Sequence, residues 1–334
     1  MREAIWRTMR GSAGDVTRRA LLLLGLAAVA LPGGLPARAE APLLVVATTG
    51  MIADAARRIG GDAVEVRALM GPGVDPHAYR QTRTDIAAMV RADLVLWHGL
   101  YLEAQMEEFL RKLGERKPTV AVAESLPRER LIAHVDYSDK FDPHVWMDPR
   151  LWSKVVENVR ETLSAQRPSQ ADAFAANAAA YLAELEELAA YSDKVFGSVP
   201  EGARVLVTAH DAFSYFGRAQ GFEVLGIQGI STQSEAGLQR VAELVDTLVD
   251  RKIGAVFVES SVSDRSVRAL VEGAAAKGHT VIIGGELFSD AMGKDGTYEG
   301  IYPGMIDHNA TTISRALGGN APERGMAGRL AAGS

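Results

Sequence analysis

Short apolar runs alternate twice with stretches of helical periodicity in this chain, and that alternation restricts its fold more than any other feature. The first series has strand-like runs over 43–48, 64–69, 94–97 and 119–123, with helical patterns over 51–59, 84–91 and 103–113 between them. The second has runs over 204–208, 223–227, 255–259 and 280–284, with helical patterns over 212–220, 235–250 and 264–277 and a closing one over 306–317. A strand, a crossover helix and another strand pair in parallel, which buries the sheet on both faces. The expected class is α/β, with two parallel-sheet lobes of similar size.

Between the two series the pattern changes. Over 169–196 apolar residues fall at Ala171, Phe174, Ala175, Ala178, Tyr181, Leu182, Leu185, Leu188 and Ala189. Steps of three and four make one apolar helix face. Pro168 stands where a helix start tolerates it. Such a helix is roughly 40 Å long, more than one lobe needs. It reads as a rigid strut joining the lobes, against the plainer alternative of a surface helix of one lobe. The expected division is an N-terminal lobe over 40–167, the linking helix over 168–197, a C-terminal lobe over 198–320 and a flexible, Gly- and Ala-rich tail over 321–334.

Residues 1–39 read as an export leader. Arg2, Arg7, Arg10, Arg18 and Arg19 precede an apolar run from Ala20 to Leu31, and Ala37-Arg38-Ala39 offers a small-x-small cleavage site. The run is short for a membrane span. Thr17-Arg18-Arg19-Ala20-Leu21-Leu22 also resembles a twin-arginine signal, so the export route stays open. Cleavage after Ala39 would leave 30 basic and 40 acidic residues, a balance that argues against a nucleic-acid partner. The 334 residues include no cysteine. Disulfides, thiolate metal sites and a lipid-modified cysteine are therefore not expected, and any metal must be held by nitrogen and oxygen. The expectation is a periplasmic protein that is not a lipoprotein.

Four residues beyond strand ends carry the chemistry. The tripeptide Asp-Pro-His occurs at Asp75-Pro76-His77 and again at Asp142-Pro143-His144; His210 and Asp290 follow strands of the second series. Ligands of open α/β sheets bind beyond the carboxyl ends of the strands. Three imidazoles and a carboxylate so placed, two per lobe, suggest a transition-metal site between the lobes. Each has a plainer reading, because Asp-Pro starts turns and an aspartate caps helices. Glu259 ends a strand too; it competes with Asp290 as the carboxylate ligand, or orients a ligand histidine. His98 could line the cleft, whereas His134, His279 and His308 carry less signal.

In combination these stretches are specific. Gly73-Val74-Asp75-Pro76-His77-Ala78-Tyr79, Asp142-Pro143-His144-Val145-Trp146-Met147-Asp148, Val207-Thr208-Ala209-His210-Asp211-Ala212-Phe213 and Gly284-Gly285-Glu286-Leu287-Phe288-Ser289-Asp290 resemble the motifs of exported proteins that deliver zinc or manganese to ABC importers, especially the TroA type. The resemblance spans about 43–317. It implies His77, His144, His210 and Asp290 as ligands, decides for Asp290 over Glu259, and implies two α/β lobes on one long helix. It further implies a monomer that binds one ion as transported ligand and docks on a permease in the cytoplasmic membrane, with no enzymatic activity.

Three histidines and a carboxylate suit Zn²⁺, and a bidentate aspartate would admit Mn²⁺ or Fe²⁺. Manganese-selective members of that family usually carry Glu in place of the third histidine, and many dedicated zinc members carry a His-rich loop before the second ligand. This chain keeps His210 and has only His134 between Glu124 and Asp142, so it resembles the dual zinc/manganese branch. The competing reading is a metal-dependent hydrolase on the same residues, with Glu259 as base. It needs an open coordination position, and neither Gly-x-Ser-x-Gly nor His-Glu-x-x-His occurs.

Overall fold

A computed structural model describes residues 40–134 and 137–331; the leader assigned to 1–39 lies outside the described residues. No helix among the described residues is long and apolar enough to cross a membrane. The first series forms one parallel sheet of β1 (Leu43–Ala47), β2 (Val64–Ala68), β3 (Leu94–Trp97) and β4 (Thr119–Ala121), in the order β2-β1-β3-β4. Val45 stands opposite both Val66 and Leu94. Every residue of β3 is buried, as a strand covered on both faces demands. The covering helices are α1 (Gly50–Gly60), α2 (Arg83–Arg91) and α3 (Glu107–Gly114).

Helix α3 starts four residues later than its periodicity suggests. Glu103 is drawn inward instead: its carboxylate accepts the Thr48 hydroxyl at 2.6 Å and the His98 and Gly99 N–H groups at 2.7 and 3.1 Å. The chain reaches it through Gly99, Leu100 and Tyr101, all at positive φ. Buried polar bonds to one carboxylate outweigh the cost of that backbone.

Two helices link the sheets. The sequence reading has no element over 149–166, yet α4 (Pro149–Gln166) runs there. Asp148 caps it through the Arg150 N–H, Pro149 occupies its first turn, and Leu151, Trp152, Val155, Val156, Val159 and Leu163 form its buried face. Then comes α5 (Ala171–Gly197), 27 residues long. Its first half packs on α1, where Asn177 donates to the Ile59 carbonyl and Tyr181 to Asp54. Its second half meets the second series of elements, where Tyr191 bonds Thr311 and the Val195 carbonyl accepts from Ser314. One apolar cluster runs from Val45 through Leu185 to Ile313, so the helix joins the lobes through a continuous core.

The second series comprises β5 (Val205–Thr208), α6 (Ser214–Gln220), β6 (Glu223–Gly226), α7 (Leu238–Asp250), β7 (Ala255–Glu259), α8 (Arg265–Ala276), β8 (Ile282–Leu287) and α9 (Tyr302–Ala316). The strands form two parallel pairs, β5-β6 and β7-β8, rather than one unbroken ladder. β8 continues three residues past the expected end at Gly284. A bulge opposite Val256–Val258 lets it continue, and glycine is required there: a Cβ on Gly285 would lie 2.4 Å from Thr312 of α9. α9 starts at Tyr302 rather than 306, with Pro303 in its first turn.

The tail expected to be flexible folds back over 321–331. The Asp307 carboxylate accepts the Met326 N–H, Gly325 takes positive φ against it, and Leu330 is fully buried. A buried acceptor and one buried leucine suffice to hold a segment whose composition alone predicts fraying.

Candidate metal centre

The four residues singled out from the sequence converge. One donor atom from each of His77, His144, His210 and Asp290 lies within 4.8 Å of all the others, and all four side chains are buried. His77 Nε2 is 3.2 Å from His144 Nε2; Asp290 Oδ1 lies 3.3 Å from His144 Nε2 and Asp290 Oδ2 3.3 Å from His210 Nε2. A tetrahedral ion with bonds of about 2.05 Å separates neighbouring donors by about 3.3 Å. His210 Nε2 and both Asp290 oxygens have no hydrogen-bond partner among the described residues. Buried polar atoms left so are costly unless something else satisfies them, and a cation between them would.

Each donor is positioned by a different element. His77 lies within the loop between β2 and α2, and its N–H donates to Asp75 Oδ1 at 2.8 Å. His144 precedes α4 in a short helical turn, and its N–H donates to Asp142 Oδ1 at 2.9 Å. Both Asp-Pro-His copies thus use the aspartate to cap the histidine two residues on, a fixation that proline alone cannot supply. His210 follows β5 by two residues. Asp290 follows β8 by three, and the Ser289 carbonyl before it accepts from the Trp146 indole at 2.8 Å.

Two of the imidazoles carry a carboxylate on the far side of the ring. Asp142 Oδ1 is 2.7 Å from His144 Nδ1, and Glu259 Oε2 is 2.5 Å from His210 Nδ1 while its Oε1 accepts the His210 N–H. Such partners fix the tautomer that points Nε2 at a metal and raise the basicity of the ligand. Glu259 is therefore engaged behind His210. His98 does not face the cluster either: its Nε2 bonds the Pro143 carbonyl at 2.7 Å, and its ring stacks on Trp152 and meets Trp146 edge-on. It supports the second tripeptide. His279 and His308 bond backbone carbonyls elsewhere.

The electrostatics divide the three rings. Burial pushes the His77 imidazole down to about 3. Burial opposes charge on His144 too, but Asp142 and Asp290 outweigh it and raise the group to about 9. His210 is likewise raised well above its ordinary value, with burial overcome by Glu259 and then Asp290. Burial would raise Asp290, yet His210 and His144 hold it well below the usual carboxylate range. Two protonated rings around one carboxylate thus supply the positive charge that a dication would replace.

Asp142 and His98 take supporting roles that the sequence reading does not assign to them. The aspartate two residues before each histidine was a readable signal; nothing in the sequence pointed from His98 to Pro143.

Residues 45–316 match the family described as zinc-uptake complex component A, periplasmic. The manganese-binding lipoprotein MntA of Bacillus subtilis is 52% identical, over 84% of this chain and 91% of its own length. The zinc-binding protein TroA of Treponema pallidum is 47% identical over 85% of this chain and 92% of its own; its solved structure superposes with a TM-score of 0.80, covering 83% of this chain and 99% of that one. The metal ABC transporter substrate-binding lipoprotein FimA of Streptococcus parasanguinis is 30% identical, over 89% of this chain and 95% of its own.

Proposed function

The chain belongs to the family of periplasmic zinc-uptake components, and on that premise we propose that His77, His144, His210 and Asp290 hold one divalent transition metal, zinc or manganese, as cargo for an ABC-type importer. The supporting observation is the donor spacing of 3.2–3.3 Å among buried atoms that lack other partners. The names of the relatives support both metals, since MntA is called manganese-binding and TroA zinc-binding. In this reading the lobes over 40–167 and 198–320 flank the helix over 168–197, and each supplies two ligands. The loaded monomer docks on a membrane permease and releases the ion there.

Family members are binding components of transporters. We read this chain as a binding protein and not an enzyme; in support, four protein donors would leave little room for water and substrate, and the carboxylate a hydrolase would use as base, Glu259, is engaged by His210. MntA and FimA are named lipoproteins. This sequence has no cysteine to take a lipid, so we read it as exported with a leader cleaved after Ala39.

Elemental analysis of the mature protein purified without chelator, followed by competition between Zn²⁺ and Mn²⁺, tests the assignment. One equivalent of metal is expected, with Zn²⁺ displacing Mn²⁺ as the general stability order requires. His210→Ala should weaken binding by more than the ~10–100-fold that loss of a ligand's supporting carboxylate costs. Unchanged affinity in that variant would refute the ligand set.

A further inference from the structure

We propose that Thr232 and Gln233, on the loop between β6 and α7, are positioning residues of this centre: they latch the second lobe onto the His77 loop and set the rate at which the ion leaves. The inference rests on the function proposed above. All four ligands are buried, at 2% exposure or less, so an ion can depart only when part of the surround opens. The attachments of the four are unequal. His144 and His210 are held through their rings by buried carboxylates, and Asp290 follows a carbonyl pinned by the Trp146 indole. His77 is held through its peptide groups. Its N–H donates to Asp75 Oδ1, and its carbonyl accepts from Gln233 Nε2 at 2.9 Å.

Thr232 completes the arrangement. Its hydroxyl donates to Asp75 Oδ2 at 2.6 Å, so the carboxylate that caps His77 is itself tied to the other lobe. The Gln233 amide oxygen accepts from Gln105 Nε2 at 3.0 Å, a second attachment to the first lobe. Both sides of His77 along the chain are thereby tied across the cleft, through two adjacent residues of one loop.

The loop is built to let go. Residues 229–237 run Gly-Ile-Ser-Thr-Gln-Ser-Glu-Ala-Gly; Ile230 is buried, but Gln233, Ser234 and Glu235 are exposed and Ser231 and Thr232 only half-buried. Opening it breaks a few hydrogen bonds and uncovers little apolar surface, the profile of a segment that opens locally well below the cost of global unfolding. Helix α7 could have begun at 235, as its periodicity suggests; it begins at Leu238, which leaves the polar stretch free to reach the first lobe.

The test uses the mature chain loaded with Mn²⁺ or Zn²⁺, mixed with excess chelator, and followed by tryptophan emission, since Trp146 lies 5.2 Å from the His144 ring. Thr232→Val keeps the shape and removes the bond to a carboxylate; dissociation should accelerate about tenfold or more. Thr232→Ser restores the hydroxyl and should restore the slow rate. Gln233→Ala, at an exposed position, should accelerate release several-fold and keeps the test open if the valine variant folds poorly. The metal-free melting temperature should not move with the rate. Wild-type dissociation in both Thr232→Val and Gln233→Ala overturns the proposal. So does a faster rate that serine fails to rescue, or one that tracks a lowered metal-free melting temperature. A wild-type protein that retains no metal, or a His210→Ala variant that releases it as the wild type does, sinks the assignment of the site instead.

Discussion

The two Asp-Pro-His tripeptides are identical in sequence and begin identically in structure, and then diverge. In each, the aspartate caps the histidine N–H, at 2.8 Å for Asp75 and 2.9 Å for Asp142. Asp142 then reaches the ring of His144 as well, while Asp75 turns its second oxygen to Thr232 of the other lobe. The surroundings decide. Asp142 is fully buried, with Tyr215 bonding its carbonyl and His98 bonding the next one. Asp75 sits half-buried on a Gly-Pro loop. One copy is a fixture of the core; the other is attached from outside, so the same residues give one histidine held within its own lobe and one held from across the cleft.

The largest expected effect separates the copies by stability. His144→Ala should abolish tight metal binding and leave Asp142 buried without its partner, at a cost of about 3–5 kcal/mol to the metal-free protein. His77→Ala should also abolish tight binding, yet cost the metal-free fold under about 1 kcal/mol, because no such buried pair is broken. Calorimetric titration with Zn²⁺ and Mn²⁺, beside urea unfolding of the metal-free variants, checks both. Equal destabilisation would break the contrast.

Next come the aspartates. Asp142→Asn should weaken metal affinity by about 10–100-fold, the usual effect of removing a carboxylate behind a ligand imidazole. Asp75→Asn keeps an oxygen that can cap His77 and should weaken equilibrium affinity by less than about tenfold. Titration of each variant with a competing chelator gives the ratio, and a larger loss at Asp75 would reverse the assignment of fixture and latch.

Protons provide a third separation. In the metal-free protein His144 titrates at about 9 and so holds a proton at neutral pH, Glu259 and Asp290 raise His210 well above its ordinary value, and His77, at about 3, holds none. A ligand imidazole must be neutral, so metal displaces those protons. Affinity should therefore rise with pH through neutrality, by roughly tenfold per unit for each proton released, and rise less steeply, by one proton's worth, above about 9 as His144 deprotonates unaided. Titrations in buffers of different ionisation enthalpy count the protons. His77 adds no proton to that count at pH 7 or pH 6, since its imidazole is already neutral there.

Part of this contrast was legible in the sequence and part was not. His77, His144, His210 and Asp290 were candidates because they lie beyond strands, where an α/β sheet presents ligands, but strand position did not separate Asp290 from Glu259; the resemblance of the surrounding motifs did. The caps were legible too, since an aspartate two residues ahead is a local signal. Glu259, 49 residues from His210, could be listed as a candidate but not assigned, because its role depends on β5 and β7 lying side by side. His98 and Thr232 act on partners 45 and 157 residues away, distances at which spacing carries no information. Helix α4 had a legible cap in Asp148-Pro149 and a buried face at steps of three and four, so its absence from the sequence reading has no physical cause. The start of α3 was not legible, because Glu103 has good helical character and gives it up for buried bonds to Thr48, His98 and Gly99.

The smallest expected effect probes how far the firm copy depends on the second lobe. The Tyr215 hydroxyl, from α6, donates to the Asp142 carbonyl at 2.9 Å and accepts the Ile132 N–H at 3.0 Å. Its ring is fully buried, so Tyr215→Phe keeps the packing and removes one oxygen. Two backbone groups then lose a partner, at about 1–3 kcal/mol of stability, or a melting temperature lower by roughly 2–10 °C at this size. The ring bond from Asp142 to His144 is untouched, and His98 still holds the Pro143 carbonyl, so metal affinity should fall less than threefold, about 0.6 kcal/mol. Thermal unfolding with and without metal measures both quantities. A large loss of affinity with little loss of stability would mean that the second tripeptide is held across the cleft as the first one is, and the division between core fixture and external latch would fail.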